Sequence, residues 1–75
     1  MMKINIKLVG LFKTGRFKQK DFLYSEGILV SDVIEDLQIP LTLLGIVLIN
    51  EVHSDTNSPL REGDALVLLP LLEGG

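Results

Sequence analysis

Residues 63–70 read Gly63-Asp64-Ala65-Leu66-Val67-Leu68-Leu69-Pro70, a turn followed by a continuous apolar run and a proline. Gly-Asp is typical of a tight turn, and an unbroken apolar run of this length is typical of a strand inside a sheet. Proline has no backbone N–H to donate to a neighbouring strand, so it marks the end of the segment. We therefore predict a last strand at Ala65–Leu69 and a compact domain over residues 1–70.

Beyond the proline lies a short tail, Leu71-Leu72-Glu73-Gly74-Gly75. Gly74 and Gly75 have no side chain, so the tail can enter a channel too narrow for a residue with a Cβ atom. Five extended residues reach roughly 15 Å, the depth of a partner's active site. We therefore expect residues 71–75 to be a flexible tail whose carboxylate at Gly75 is the reactive group. A frayed end of no consequence is the alternative.

The first half of the chain predicts a hairpin and a helix. Lys3–Leu8 alternates polar and apolar residues with the period of a half-buried strand, and a second strand follows over Lys18–Tyr24. Residues 30–37 then carry apolar residues at the spacing of one face of an amphipathic helix. Pro40 is expected to stop this helix, because proline cannot donate the next hydrogen bond.

The second half predicts the remaining strands. Ile46–Ile49 is a continuous apolar run, typical of a strand that is buried on both faces. Asn50-Glu51 is expected to form a turn, from which Val52 begins a short return strand. The resulting order is that of an α+β domain in which a mixed sheet packs on one main helix. The sequence therefore predicts the β-grasp fold, with the hairpin's second strand and the return strand at the edges.

Composition excludes several classes of protein. The 75 residues contain no cysteine, which removes disulfides, iron–sulfur ligation and zinc ribbons, and we expect no bound metal. A net charge of −3 argues against nucleic acid as the main partner. No apolar run approaches the roughly 18 residues of a membrane span, and no signal peptide is visible. We therefore expect a soluble cytoplasmic protein with no membrane partner.

Four of the seven basic residues crowd one short stretch: Lys13, Arg16, Lys18 and Lys20. A solvated loop and edge strand would account for this cluster, since lysines on an edge strand prevent pairing with other chains. A contact patch for an acidic partner or an anionic substrate is the alternative, and the sequence leaves the choice open.

The other candidate residues favour structural roles. His53 is the only histidine and has no cysteine beside it, so we expect an exposed structural residue. Gly63-Asp64 is expected to be a turn rather than an acid in a site, and Thr14-Gly15-Arg16 is too short for a phosphate-binding loop. Core and edge packing is expected for the aromatic residues Phe12, Phe17, Phe22 and Tyr24. No catalytic constellation is evident, so we expect a protein that is not an enzyme.

Three segments match the motifs of one known family. Val30–Pro40 is similar to a family helix followed by Ile-Pro, and Leu48–Asn50 to an apolar strand that meets a turn at Asn. Leu60–Gly75 has a Gly-Asp turn, a strand, a proline and Gly-Gly in the family's spacing, and this combination is specific. The chain resembles the MoaD/ThiS family of ubiquitin-like sulfur carriers over nearly its whole length, which implies the β-grasp fold.

Four residues depart from the family pattern. Leu29 stands where a helix-capping Ser or Thr is common, and Gln38 where a glycine often ends the helix. Glu51 replaces the glycine that usually completes the turn after Asn. These three concern local stability, whereas Glu73 places a negative charge beside the tail and bears on which partner accepts it.

The resemblance implies that the chemistry takes place at Gly75. In relatives, an ATP-using enzyme similar to ubiquitin-activating enzymes adenylates the C-terminal carboxylate, and sulfur then replaces AMP to give a thiocarboxylate. Gly75 would carry that group, and Gly74 would allow the tail to thread into the partner. The carrier itself would bind no cofactor, since the activating enzyme uses the ATP. A sulfur donor such as a cysteine desulfurase is a further implied partner.

The resemblance leaves several acceptors open. The fairly long opening hairpin looks like the MoaD branch, which implies the small subunit of a molybdopterin synthase, with the large subunit as partner, in molybdenum or tungsten cofactor biosynthesis. Sulfur transfer for thiamine thiazole, amino-acid biosynthesis or tRNA thiolation are alternatives. So are a modifier joined to lysines through Gly75 and a passive β-grasp binding module.

Overall fold

The computed structural model describes residues 1–71, and within that range a mixed sheet packs on an α-helix. The strands of the sheet are, in chain order, β1 (Met2–Leu8), β2 (Gln19–Tyr24), β3 (Leu44–Ile49), β4 (Val52–Ser54) and β5 (Ala65–Pro70). The α-helix is α1 (Val30–Asp36), and short 3-10 helices at Gly10–Lys13 and Leu41–Leu43 precede β2 and β3. These elements are the predicted ones, with the two 3-10 helices added.

The strands lie across the sheet in the order β2-β1-β5-β3-β4. β5 runs parallel to β1, and the other pairings among the described residues are antiparallel. The two edge strands are β2 and β4, as predicted from the sequence. The last strand of the described residues, β5, therefore lies in the centre of the sheet, and the described chain ends at Leu71, one residue after this strand.

One face of the sheet packs against α1 to form the core. Ile4 and Ile6 of β1, Leu68 of β5 and Val33 of α1 are fully buried together. Phe12, on the first 3-10 helix, is also fully buried and joins the same cluster. Burial of each such aliphatic side chain contributes roughly 1.5–3 kcal/mol relative to exposure, so these contacts hold the helix on the sheet.

β3 is not buried on both faces, and that prediction is wrong. Val47 is 5% exposed, whereas its neighbour Ile46 is 40% exposed. The same alternation occurs in β5, where Leu66 is buried and Val67 is partly exposed. Within the described chain α1 covers one face of the sheet, so every second residue of these strands lies on the face opposite the helix.

The helix also ends earlier than predicted. Its last residue is Asp36, and Gln38 then adopts the left-handed conformation, with φ of 56°. Pro40 therefore does not stop α1 and instead precedes the second 3-10 helix. The turn at Gln38 ends the helix first, as a left-handed residue commonly does. No helix in the described part of the chain is long and apolar enough to cross a membrane.

Candidate functional site

The predicted reactive residues, Gly74 and Gly75, lie outside the described residues. The structure does describe the place at which the predicted tail begins. β5 ends at Pro70, and the backbone N–H of Leu71 donates to the carbonyl oxygen of Leu43 at 2.7 Å. The first residue of the predicted tail is therefore hydrogen bonded to the domain.

We call the end of β5 at Pro70 and Leu71, where the predicted tail begins, the exit. An apolar patch lies close to the exit on the open face of the sheet, which is the face opposite α1. We define the apolar patch by four aliphatic residues of β3 and β5: Ile46, Leu48, Val67 and Leu69. The antiparallel register brings them together, because Ile46 lies opposite Leu69 and Leu48 lies opposite Val67. Ile46 is exposed and the other three are partly exposed, and contiguous apolar side chains that water can reach are typical of a surface that contacts another protein.

The other half of the open face, over β1 and β2, is polar. Asn5 donates to Asp21 at 2.8 Å, and Gln19 donates to Asn5 at 2.8 Å. Lys3 and Asp21 form an exposed ion pair at 3.8 Å, which contributes under about 1 kcal/mol. Because these polar groups already bind one another, a partner gains more by covering the apolar patch than by covering this half.

Sequence reasoning missed the apolar patch. A strand buried on both faces, as the run Ile46–Ile49 predicts, leaves no exposed side chains in β3. A usable signal was nevertheless present in the predicted elements. A single main helix covers one face of a sheet, so alternate residues of its central apolar strands have to lie on the uncovered face.

Arg16, one of the four clustered basic residues, binds the end of α1. Its guanidinium donates from Nε to the carbonyl of Leu37 at 3.1 Å and from Nη2 to the carbonyl of Gln38 at 2.8 Å. A third bond runs from Nη1 to the carbonyl of Phe12 at 3.3 Å. A cation is favourable at the negative end of the helix dipole, so Arg16 acts as a structural cap.

The three lysines of the cluster remain on the surface. Lys20 places its Nζ atom 5.3 Å from the ring centroid of Phe22, within the range of a cation–π interaction. Lys13 and Lys18 are exposed. A role for these lysines in contacting a partner stays a prediction.

The other residues for which the sequence predicts structural roles are His53, Asp64 and the aromatic residues. His53 is exposed on β4, opposite Leu48. The carboxylate of Asp64 accepts hydrogen bonds from the backbone of Arg61 at 2.8 Å and from the side chain of Asn50 at 2.9 Å, which fixes the turn before β5. The aromatic side chains at the β2 edge pack in a series. The ring centroid of Phe22 lies 5.2 Å from that of Phe17 and 5.8 Å from that of Tyr24.

Metal-binding clusters and grooves are the other possible kinds of site in the described chain. In the described part of the chain, no group of three or more His, Asp or Glu side chains is placed to hold a metal ion. A groove of about 310 Å³ lies beside α1 and contains none of the predicted site residues. Its lining consists of Ser31, Ile34, Glu35, Ile39, Leu41 and Thr56.

Solved structures provide the matches to known proteins. No family model matches the chain, and no curated protein matches it. A protein from Pyrococcus furiosus, described as molybdopterin converting factor subunit 1, is similar with a TM-score of 0.76 and 18% identity, over 96% of this chain and 100% of that one. Small archaeal modifier protein 1 of Haloferax volcanii is similar with a TM-score of 0.77 and 17% identity, over 96% and 100%.

A third similar structure contains two different subunits. It is the complex of subunits 1 and 2 of the molybdopterin-converting factor of Helicobacter pylori, with a TM-score of 0.67 and 22% identity, over 99% of this chain and 100% of that one. At such identities the likeness establishes the fold. The predicted α+β architecture is confirmed: the chain has the β-grasp fold that these molybdopterin converting factors and archaeal modifiers share.

Proposed function

We propose that the protein is a sulfur carrier in molybdopterin biosynthesis. A carboxylate is a poor electrophile, because its charge is spread over two oxygens and neither is a leaving group. ATP would convert the carboxylate of Gly75 into an acyl-adenylate with release of pyrophosphate, and sulfur would then displace AMP to leave a thiocarboxylate. That group would give its sulfur to a pterin precursor bound by a partner.

The observation that carries the proposal is the position of the exit relative to the apolar patch. β5 contributes Val67 and Leu69 to the patch, and two residues after Leu69 the chain is at Leu71, the last described residue. A partner that covers the patch therefore lies beside the point from which the tail would enter it. The likeness to a subunit 1 that was solved in complex with a subunit 2 supports a large-subunit partner of this kind.

The division of labour follows from the chemistry. The carrier would supply the carboxylate of Gly75, and Gly74, which has no side chain, would allow the tail to thread into a narrow channel. The activating enzyme would bind the ATP and provide acid–base groups, and a donor such as a cysteine desulfurase would deliver the sulfur. Because pterin assembly precedes the choice of metal, either molybdenum or tungsten could be served.

The test is intact-mass measurement after incubation with ATP, a sulfur donor and a candidate activating enzyme from the same source. The expected result is a gain equal to the difference between sulfur and oxygen, located at Gly75 and absent without ATP. A variant with one residue added after Gly75 is the control and should gain nothing. An unchanged mass, with an enzyme that is active on another carrier, would contradict the proposal.

Transfer to the pterin is tested separately. The thiocarboxylated protein, mixed with the cognate large subunit and the molybdopterin precursor, is expected to yield molybdopterin and return to the carboxylate. A thiocarboxylate that no cognate large subunit consumes would leave the carrier role intact and move the acceptor to another pathway.

A second candidate function is that of a protein modifier. The likeness to small archaeal modifier protein 1, with a TM-score of 0.77, favours it. In that case the activated carboxylate of Gly75 would form an amide with a lysine of a target protein. Branched Gly-Gly lysine peptides recovered from cells that express the tagged chain would support this function, and their loss in a variant without Gly75 would be the control.

A further inference from the structure

We propose that Gly45 is a positioning residue that fixes the direction in which the tail leaves the domain. The proposal rests on the carrier function proposed above, because that function requires the tail to be presented to a partner. It is argued from the backbone around the end of β5, all of which lies within the described residues.

The space beside Gly45 is too small for a side chain. A Cβ atom added at Gly45 would lie 2.9 Å from the backbone nitrogen of Leu71 and 2.9 Å from the carbonyl carbon and oxygen of Pro70. Real Cβ atoms essentially never approach other atoms so closely. The opposing atoms belong to the backbone, so no side chain can rotate away, and any larger residue at this position has to push the end of β5 outward.

Conformation is not the reason for the glycine. The described glycines with positive φ are Gly10, Gly15, Gly27 and Gly63, whereas Gly45 is outside that set. Its backbone conformation is therefore open to residues with a side chain. Glycine is needed at position 45 because of the close approach alone, which separates its role from that of a turn residue.

Strand register explains why the approach is so close. Leu44 lies opposite Pro70 and Ile46 lies opposite Leu69, so Gly45 is the extra residue of a β-bulge. A bulge bends its strand and redirects the neighbouring chain. Here it brings the end of β5 close to the start of β3, and Leu71 donates its hydrogen bond to Leu43, directly before β3, at 2.7 Å.

The exit is also bounded from the other side. A Cβ atom at Gly10 would lie 3.4 Å from Cγ of Pro70, so the proline ring lies against the segment that follows β1. Pro70 thus has glycines on both sides, Gly10 and Gly45. The four residues beyond Leu71 span at most about 13 Å when extended, so a displacement of Leu71 changes how far Gly75 can reach into a partner. Misplacement by about 1 Å at a reacting centre can lower a rate about 100-fold.

The test compares Gly45→Ala with Gly27→Ala in the full chain. Gly27 has φ of 86° and open space around it, so its substitution strains the backbone without touching the exit. It follows β2, whose last residue Tyr24 pairs with Met2, at the opposite end of β1 from the exit. It therefore controls for a general loss of stability.

Two readouts are expected to change together in Gly45→Ala. Relative to core amides such as that of Ile6, the amide of Leu71 should exchange its hydrogen about tenfold faster, because its hydrogen bond to Leu43 is lost. In the activation assay, kcat should fall about tenfold or more, while KM for the carrier stays within about threefold because the substitution leaves the side chains of the apolar patch unchanged. Gly27→Ala should change neither the exchange rate of the Leu71 amide relative to core amides nor the kcat relative to KM.

Several outcomes would overturn the proposal. Equal relative exchange of the Leu71 amide in the two variants would show that Gly45 does not hold the exit. Fast exchange of the Leu71 amide with undiminished kcat would show that the hydrogen bond between Leu71 and Leu43 has no part in activation. If Gly45→Ala fails to fold, Leu71→Pro removes the donor itself and is expected to show the same loss in kcat. If the natural protein is not activated at all, the carrier function fails, and amide exchange still decides whether Gly45 fixes the exit.

Discussion

Within the described chain, Gln38, Asn50 and Glu51 have side chains and yet adopt positive φ, at 56°, 52° and 67°. This conformation costs an L-residue roughly 1–2 kcal/mol, with asparagine the least disfavoured. Asn50 offsets the cost, because its side chain accepts a hydrogen bond from the N–H of Ala65 at 2.9 Å. Gln38 and Glu51 stand where the family that the chain resembles commonly has glycine, and their positive φ is the conformation that glycine adopts without strain.

We expect Glu51→Gly to stabilise the protein by about 1 kcal/mol. Asn50 and Glu51 form a two-residue hairpin turn with positive φ at both positions, for which Asn-Gly is the preferred pair. Glu51→Ala is the matched control, since it removes the carboxylate and keeps the Cβ atom. Urea unfolding measures both variants, and equal stabilities would contradict the assignment of strain to the Cβ atom.

Tyr24 links stability to pH. Its hydroxyl donates to Asp36 at 2.9 Å, and burial, this hydrogen bond and the negative charge of Asp36 together raise the pKa of Tyr24. The folded pKa exceeds the unfolded value of about 10, so this contribution is fully present below pH of about 10 and lost as the pH rises toward the folded pKa. We expect the free energy of unfolding to fall more steeply above pH of about 10 than in Tyr24→Phe.

Urea unfolding at a series of alkaline pH values measures that difference between the natural protein and Tyr24→Phe. Because Tyr24 is the only tyrosine, the ultraviolet absorbance of tyrosinate follows its ionisation directly. A titration midpoint at the ordinary value of about 10 in the folded protein would contradict the prediction.

At the scale of elements, both ends of α1 are held by loops distant in sequence. Leu29, the N-cap residue, has no side-chain acceptor, and the carbonyls of Ser58 and Thr56 accept from Val30 at 3.0 Å and Ser31 at 2.9 Å instead. At the other end, the Arg16 guanidinium binds the carbonyls of Leu37 and Gln38, the two residues that directly follow the helix. A helix of seven residues is too short to be stable alone, so these tertiary caps account for its persistence.

We expect Arg16→Ala to lower the free energy of unfolding by about 2 kcal/mol, because it removes charge-assisted hydrogen bonds to the helix end. Arg16→Lys should recover only part of this loss, since an ammonium group cannot reproduce the planar fork of a guanidinium. Lys13→Ala, in the same basic stretch but exposed, is the control and should change stability by less than about 0.5 kcal/mol. Equal effects of Arg16→Ala and Lys13→Ala would argue against the cap.

At the scale of the whole molecule, the two faces of the sheet have different surroundings. The face covered by α1 holds the core and supplies the stability. The open face is divided between a polar half over β1 and β2 and the apolar patch over β5 and β3. Because β5 is central and belongs to both the core and the apolar patch, the last described residue, Leu71, lies close to the apolar patch.

We expect Ile46→Glu to raise the dissociation constant for a large-subunit partner about tenfold or more, because a carboxylate buried in an interface without a partner is costly. Leu23→Glu is the matched control, because Leu23 is 64% exposed and lies on the polar half of the same face. Isothermal titration calorimetry measures both, with circular dichroism to verify the fold. A larger effect from Leu23→Glu would move the interface to the β2 edge.

The sequence by itself determined the elements and their order. The alternation over Lys3–Leu8, the helical spacing that begins at Val30, the Asn50-Glu51 turn and the apolar run before Pro70 all appear in the structure at or near their predicted places. These are local properties, because strand and helix periods and turn preferences depend on residues a few positions apart. The order of elements then sufficed to predict β-grasp topology, with β2 and β4 at the edges.

The tertiary structure alone decided what those elements do to one another. Arg16 caps a helix that ends 20 residues later, at Asp36, and Gly45 provides the space in which Leu71 reaches Leu43. The exposure of the apolar patch likewise depends on which face of the sheet α1 covers. Contacts between residues distant along the chain have no period and no local signature, because they arise only when packing brings separate elements together. The fold could therefore be predicted from local patterns, whereas the hydrogen bond between Leu71 and Leu43 and the apolar patch arise from packing.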